Sequence, residues 1–313
     1  MKSSLCEDKE EIFYISSLVV LIVGGALNIA VLLGIVRRIK VSGVFCFILQ
    51  IMLCDMISLW IFPLKQWILA DFCALTIGVE ILLGTAVTYL VIAVNFHAVS
   101  LHNLAVCQQR RHENLAAVRA QDECNNEESA GNETKERRTL TIDYNRMKRS
   151  ISAILPTASI WLLATSIALP HVVSLHTSES TSNSCCSLGV HIPHLKPMIF
   201  IVVIVLQIAL PTLFGICGIF FVSSKLTAFQ LDLTVCKLAE NVKEILIFSL
   251  ILTTTFILVS LHSNTLRFLG ILPQSTYSKL LSIAHSFMPA IRPIIYLTTL
   301  KHLRRSIMMF FTP

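Results

Sequence analysis

The chain contains few charged residues. Of its 313 residues only 14% are Asp, Glu, Lys or Arg, while 54% are hydrophobic. Its mean hydropathy is +0.72. Soluble domains carry about 25% charged residues, so this composition excludes an ordinary soluble protein and predicts an all-α membrane protein. The net charge of +6 is explained below by basic loops, and we predict no nucleic acid partner.

The sequence also lacks the motifs of catalysis and cofactor binding. It has no Gly-rich phosphate-binding loop, no zinc-binding helix motif and no plausible Ser/His/Asp arrangement. Four histidines occur between positions 171 and 194, but their spacings match no tight metal-ligand pattern. We therefore predict that the chain is not an enzyme and that it has no cofactor and no metal site.

Long apolar segments make up most of the chain. A bilayer core about 30 Å thick requires about 20 apolar residues per helix, and backbone groups in lipid must be hydrogen-bonded within the segment. The segments cover about 12–36, 44–68, 73–97, 150–173, 197–222, 244–264 and 276–299. The sequence therefore predicts a seven-transmembrane helix bundle over residues 12–299.

Basic residues occur in alternate loops of this bundle. They follow the first segment, precede the fourth and follow the seventh: Arg37, Arg38, Lys40, Arg146, Lys148, Arg149, Lys301, Arg304 and Arg305. Lys and Arg favour the cytoplasmic side, and the N-terminal segment 1–11 is acidic. We predict a multi-pass protein of the plasma membrane with an extracellular N-terminus.

Two cytoplasmic segments have a composition of their own. Residues at about 120–145 are rich in charged and amide side chains and are predicted to be disordered, after a helical extension of the third segment through Arg119. Residues 300–313 place Lys301, Arg304 and Arg305 on one helical face and apolar residues on another. This pattern predicts an amphipathic tail helix at the inner surface of the bilayer.

Cysteines fall into two groups by their predicted side of the membrane. Cys73 begins the third segment on the outer side, and Cys185 and Cys186 lie in the loop before the fifth. A disulfide from Cys73 to one of that pair is predicted, and the choice between the two is open. The cysteines predicted to be reduced are Cys46, Cys54, Cys107, Cys124, Cys217 and Cys236.

Several marker residues occur in a fixed order along the segments. They are Asn28 in the first, Asp55 and Pro63 in the second, Trp161 and Pro170 in the fourth, Pro211 in the fifth, and Pro293 and Tyr296 in the seventh. On these residues the chain resembles the rhodopsin-like (class A) G-protein-coupled receptors over nearly its whole membrane portion. The resemblance implies a receptor that transduces the signal of an extracellular ligand, a peptide or a small molecule, to a heterotrimeric G protein.

The chain departs from the family pattern in three places. Asn95-Phe96-His97 stands where the family has Asp-Arg-Tyr, and the resemblance makes these the G-protein-facing residues. The sixth segment contains neither the family's tryptophan nor its kinking proline, and Arg292 replaces an asparagine before Pro293. An alternative is therefore a non-coupling seven-helix protein that acts as a decoy or assembly partner. A multi-pass transporter is less favoured because no inverted duplication is evident.

Arg292 places a charge on a membrane helix, so it should face the bundle interior and find a partner. The resemblance puts Asn28 and Asp55 in that interior, where the family commonly holds a sodium ion against the aspartate. We predict that the Arg292 guanidinium takes the role of that cation and pairs with Asp55. The alternative is that Arg292 extends to the cytoplasmic headgroups. With Pro293 and Tyr296, these residues form a predicted polar switch.

Three polar side chains are candidates for ligand binding: Glu80, Gln207 and His285. Glu80 is the only acid in the third segment, and its spacing from Cys73 directs it inward. Spacing from Asn95-Phe96-His97 instead makes Gly78 the inward residue. Contacts between helices are the alternative role for all three side chains.

Overall fold

The computed structural model describes residues 4–38, 43–67, 73–123, 154–179, 197–232, 237–261 and 276–311. Within these ranges every residue except Leu300 is helical, and there is no strand. The predicted all-α class is therefore confirmed for the described part of the chain.

Each predicted apolar segment coincides with one long helix. The helices are α1 (Ser4–Arg38), α2 (Gly43–Trp67), α3 (Cys73–Glu123), α4 (Ile154–Glu179), α5 (197–232), α6 (237–261), α7 (Thr276–Thr299) and the short α8 (Lys301–Phe311). Two of them contain a π-helical turn, at Val205–Ala209 in α5 and at Phe256–Leu261 in α6.

Four of the described helices contain a stretch that is long and apolar enough to cross a membrane. These stretches are Gly43–Ile61, Gly78–Cys107, Ile201–Ala228 and Asn241–Leu261. Shorter apolar stretches occur in α1 (Leu21–Val36) and α4 (Ile154–Pro170). The chain thus has the lengths and composition of a multi-pass membrane protein, and the crossing of all seven helices stays a prediction.

Five helices extend by at least six residues beyond their predicted segments. α1 begins at Ser4, inside the predicted N-terminal segment 1–11, α4 ends at Glu179, α5 ends at Asp232 and α6 begins at Lys237. α3 continues past its apolar segment, as predicted through Arg119, and ends at Glu123. The polar part of α3 is rich in Arg, Glu, Gln, Leu and Ala, which favour helix without needing apolar periodicity. The predicted disordered segment therefore begins inside a helix, and its residues from 124 onward lie outside the described ranges.

α3 lies at the centre of the bundle. It contacts α2, α4, α5 and α6, while α7 contacts α1, α2 and α6, and α8 contacts α1. In its membrane-length stretch 56% of α3 is buried, against 22% for α5, which is consistent with a central and a peripheral helix. One large cluster of buried apolar side chains contains residues of α1, α2, α3, α4, α6, α7 and α8.

A polar contact fixes α4 against α2. Trp161 donates from Nε1 to Oε1 of Gln50 at 2.8 Å, and Gln50 donates from Nε2 to Oγ1 of Thr157 at 3.1 Å. Because both ends of the Gln50 amide are bonded, the side chain sets the register between the two helices. This contact gives the marker tryptophan a structural role.

The cysteine predictions are tested only in part. The free thiols in the described residues are Cys46, Cys54, Cys107 and Cys217. All of these were predicted to be reduced, whereas Cys124 and Cys236 lie outside the described residues. So do Cys185, Cys186 and the side chain of Cys73, and the disulfide stays a prediction.

Candidate functional site: two buried polar contacts in the bundle

Two groups of buried polar side chains connect the helices of the bundle. The first, the α7 polar face, consists of Asn28, Asp55, Arg292 and Tyr296, which are all at most 5% exposed. The second, the α3–α6 polar contact, consists of Asn95, Ser249 and Thr253, which are at most 3% exposed. Buried polar groups that bridge helices fix the relative position of those helices and are costly to leave unpaired.

The α7 polar face is built on an ion pair between α7 and α2. Arg292 donates from Nη1 to Oδ1 of Asp55, and both side chains are buried. The predicted contact is thereby confirmed, and the alternative in which Arg292 extends to the headgroups is wrong for this structure. A guanidinium that meets a carboxylate in a buried site makes a strong, charge-assisted hydrogen bond. Its role as a switch stays a prediction.

The spacing of residues along α7 directs this face to three neighbours. Pro289, Arg292 and Tyr296 are separated by three and four residues, which places them on one side of a helix. The Pro289 carbonyl meets α1, Arg292 meets α2, and the Tyr296 ring packs edge-on against Phe248 of α6 with 5.5 Å between ring centroids. One face of α7 therefore holds three helices together.

Proline chemistry explains the contact between α7 and α1. The carbonyl of Pro289 would normally accept the N–H four residues later, but that residue is Pro293, which has none. Asn28 donates from Nδ2 to this carbonyl at 3.0 Å and to the Gly24 carbonyl at 2.8 Å. The amide of α1 thus satisfies an acceptor that the proline of α7 leaves without a backbone partner.

The α7 polar face does not fit the sodium ion that the family resemblance implies. The guanidinium already places a positive charge against Asp55, and a second cation beside it would be repelled. Among the described residues, Asp55 Oδ2, Asn28 Oδ1 and the Tyr296 hydroxyl have no hydrogen-bond partner. The arrangement therefore supplies its own cation and keeps three polar atoms available for rearranged contacts.

The α3–α6 polar contact converges on a single oxygen. Oδ1 of Asn95 accepts hydrogen bonds from the hydroxyls of Ser249 and Thr253, the latter at 2.8 Å. Ser249 and Thr253 are four residues apart and therefore share a face of α6. Gly218 allows α5 to approach, because a Cβ there would lie only 2.7 Å from Asn95 Nδ2. Three helices thus meet at Asn95 without any formal charge.

The three residues predicted to face a G protein point in different directions. Asn95 is committed to α6, as described above. Phe96 is 54% exposed and packs edge-on against Phe214 of α5, with 6.1 Å between ring centroids. His97 is 8% exposed and is held between Phe47, at 5.9 Å between ring centroids, and Gly43. Contact with a G protein stays a prediction for all three.

The predicted ligand-binding residues are not brought together by a described contact. Gln207 donates from Nε2 to Oγ1 of Thr85 at 3.2 Å, which is a contact between α5 and α3. Glu80 is half-buried on α3, and His285 lies in α7 with its side chain outside the described residues. Gly78 packs directly against Val172 of α4. Two residues turn a helix by about 200°, so Glu80 faces away from α4.

The irregular turn of α5 was not predicted from the sequence. In the turn Val205–Ala209 the N–H of Leu210 bonds to the carbonyl of Val205. In the same pattern the carbonyl of Leu206 would accept the N–H of residue 211, but that residue is a proline and has no N–H. Tyr89 of α3 donates its hydroxyl to the Leu206 carbonyl at 2.6 Å. Pro211 signals an unpaired carbonyl at Gln207 in a regular helix, and the π-helical turn shifts that position to Leu206.

The π-helical turn Phe256–Leu261 of α6 was not predicted from the sequence either. The resemblance directs attention to the proline that α6 lacks, but a π-helical turn also interrupts the regular hydrogen bonding of a helix. Ser260 in this turn is 2% exposed, and its hydroxyl has no partner among the described residues. No residue type marks this turn, so the sequence gives no signal for it.

Comparison with known proteins gives no match to a family model or to a curated protein. A functional assignment must therefore come from the residues of this chain and their contacts.

Proposed function

We propose that the chain is a plasma-membrane receptor similar to the class A G-protein-coupled receptors, with its N-terminus outside the cell. It would bind an extracellular peptide or small molecule and activate a heterotrimeric G protein. The ligand site would lie in the outer half of the bundle and the G-protein site at the opposite end of α3, α5 and α6.

The α7 polar face is the observation that carries this proposal. Asn28 and Asp55 are far from Pro293 and Tyr296 in the sequence, and the resemblance selects all four by order alone. In the structure Asn28 bonds the carbonyl freed by Pro293, Asp55 pairs with α7, and Tyr296 packs on α6. Contact of these marker residues with one face of α7 supports the family resemblance more strongly than their order along the sequence does.

The uncharged α3–α6 polar contact is the part of the bundle that can rearrange when a ligand binds. A ligand can shift an equilibrium only between two states that differ modestly in free energy. Net contributions of neutral hydrogen bonds are about 1 kcal/mol each, so α6 can exchange its bonds to Asn95 for other partners at modest cost. Such a displacement would carry a signal from the outer half of the bundle to its cytoplasmic end.

The proposal is tested by basal signalling of the full chain in cells. An N-terminal epitope tag on intact cells reports surface expression and orientation, and sensors for the main G-protein classes report activation. We expect surface staining without permeabilisation and activation above an empty-vector control in at least one class. A tag that stains only after permeabilisation would contradict the orientation and the receptor assignment.

A non-coupling decoy or assembly partner is the second candidate, and one observation favours it. The Asn95-Phe96-His97 stretch contains no arginine, and Asn95 and His97 are buried. The same assay separates the two candidates. Normal surface expression with silence in every G-protein class would favour the decoy.

A further inference from the structure

The N-cap residue of α8 is a leucine. Leu300 precedes the helix, and its carbonyl accepts the N–H of Arg304 at 3.0 Å, so Leu300 occupies the N-cap position. An N-cap residue usually has a Ser, Thr, Asp or Asn side chain that accepts an N–H of the first turn. A leucine side chain has no acceptor atom, so Leu300 cannot cap the first turn of α8 in this way.

Glu244 of α6 provides that partner. Its Oε2 accepts the backbone N–H of Lys301 at 3.2 Å, and its Oε1 lies 3.6 Å from the Lys301 ammonium nitrogen. The Glu244 side chain is 14% exposed and that of Lys301 is 48% exposed. The carboxylate also meets the positive end of the α8 dipole. A residue of one helix therefore caps another helix.

α8 is in turn fixed to α1. Leu303 is fully buried, and Gly34 of α1 leaves room for Ile307, which would lie 2.6 Å from a Cβ at that position. The cap thus joins the cytoplasmic part of α6 to a unit made of α1 and α8. Glu244 is located two turns from the start of α6 at Lys237.

We infer that Glu244 and Lys301 form a latch that keeps the cytoplasmic end of α6 closed against α8. Outward movement of α6 takes the Glu244 carboxylate away from the Lys301 N–H, and the side chain of the N-cap residue Leu300 offers no acceptor in its place. The backbone contact is the main part of the latch, because the ammonium is half exposed and such ion pairs contribute little. The link to signalling rests on the proposed function, whereas the helix movement does not.

The latch is tested by measuring the distance between α6 and α1 in the purified full chain in lipid nanodiscs. Spin labels are introduced at Asn241 of α6 and Val36 of α1, which are both exposed. Because the chain has ten cysteines, the labels are attached through an unnatural amino acid. Pulsed electron resonance then gives the populations of short and long distances.

Three variants separate the backbone cap from the ion pair. Glu244→Ala removes both, and we expect the ratio of long to short distances to rise about fivefold, the usual effect of losing a helix cap. Glu244→Gln retains an acceptor for the N–H and should have a smaller effect. Lys301→Met removes only the ammonium and should change the ratio by less than about twofold. Lys243→Met, on the same turn of α6, is the matched control for loss of a lysine.

An unchanged distance distribution in Glu244→Ala would overturn the latch, as would an equal effect of Lys301→Met and Glu244→Ala. Basal G-protein activation in cells is read separately. A longer distance together with a rise in basal activation supports the latch and the proposed function together. A longer distance with no activation in any class supports the latch and contradicts the receptor function.

Discussion

The two sides of the bundle are fixed by different chemistry. On one side α7 is joined to α2 by opposite charges on Asp55 and Arg292, both buried. On the other side α6 is joined to α3 by neutral hydrogen bonds that end on one oxygen of Asn95. The two contacts are similarly buried, so the difference between them lies in charge.

That difference suggests which helix can move. Separating a buried ion pair strands a charge, and the loss of one partner is worth about 3–5 kcal/mol. Separating a neutral hydrogen bond costs about 1–3 kcal/mol when a buried group is left unpaired. A hydroxyl can also rotate toward another acceptor. Oγ1 of Thr253 already lies 2.8 Å from the carbonyl oxygen of Ser249. We therefore regard α2 and α7 as the fixed side of the bundle and α6 as the mobile side.

The largest effect is expected from breaking the charged side. Asp55→Asn should lower the free energy of unfolding by about 3–5 kcal/mol, because an arginine cannot lose its charge. Arg292→Gln should cost less, since a stranded carboxyl can take up a proton. The double variant leaves two neutral groups that can bond each other and should lose about 1 kcal/mol. SDS-induced unfolding of the purified protein in mixed micelles measures all three values.

Ser58→Ala is the matched control on α2, because the Ser58 hydroxyl donates to the Cys54 carbonyl of its own helix. It should stay within about 0.5 kcal/mol of the unchanged protein. If the double variant were as unstable as Asp55→Asn alone, the ion pair would not be the source of the damage, and the contrast between the two sides would fail.

A smaller effect is expected on the neutral side. Asn95→Leu keeps the branched shape and the number of heavy atoms of the side chain but removes the acceptor shared by Ser249 and Thr253. It should cost about 1–2 kcal/mol in the same unfolding assay. Thr253→Val removes one of the two bonds and should cost about half as much. If α6 is the mobile helix, Asn95→Leu should also raise basal G-protein activation, whereas Arg292→Gln should not.

Thr88→Val is the matched control for these hydroxyl and amide changes, since Thr88 bonds the Gly84 carbonyl within α3. A loss of stability for Asn95→Leu as large as that for Asp55→Asn would show that charge is not what separates the two sides.

The sequence predicted the charged side well and the neutral side poorly, for a physical reason. An arginine in an apolar helix must find a counter-charge, and Asp55 was the acid that the resemblance places in the bundle interior, so the pair followed from few assumptions. Asn95 has many acceptable partners in a helix bundle, because any hydroxyl or carbonyl can satisfy an amide. Its partners Ser249 and Thr253 could be found only once the rotation of α6 was known.

Helix ends show a similar division. The apolar segments predicted the existence and order of all seven long helices, because lipid requires length and hydropathy that are readable without contacts. The extension of α3 was predicted through Arg119, and the helix ends one turn later at Glu123, because its last turns are polar and their end depends on helix propensity alone. The Glu244 cap of α8 lies 57 residues from its partner in the sequence, and no local pattern announces it.

The smallest effect concerns the single hydrogen bond between α3 and α5, which extends the comparison to a third contact. Tyr89→Phe leaves the Leu206 carbonyl unpaired and should cost about 1 kcal/mol. Pro211→Ala restores a backbone N–H that can bond the same carbonyl, so Tyr89→Phe should cost almost nothing in that background.

A double-mutant cycle in the unfolding assay measures this coupling. Thr212→Val is the control, because the Thr212 hydroxyl donates to the Ile208 carbonyl within α5. Additive costs would show that the proline does not create the need for Tyr89. A coupling of about 1 kcal/mol would rank this single hydrogen bond below the neutral α3–α6 polar contact, which contains two, and far below the ion pair.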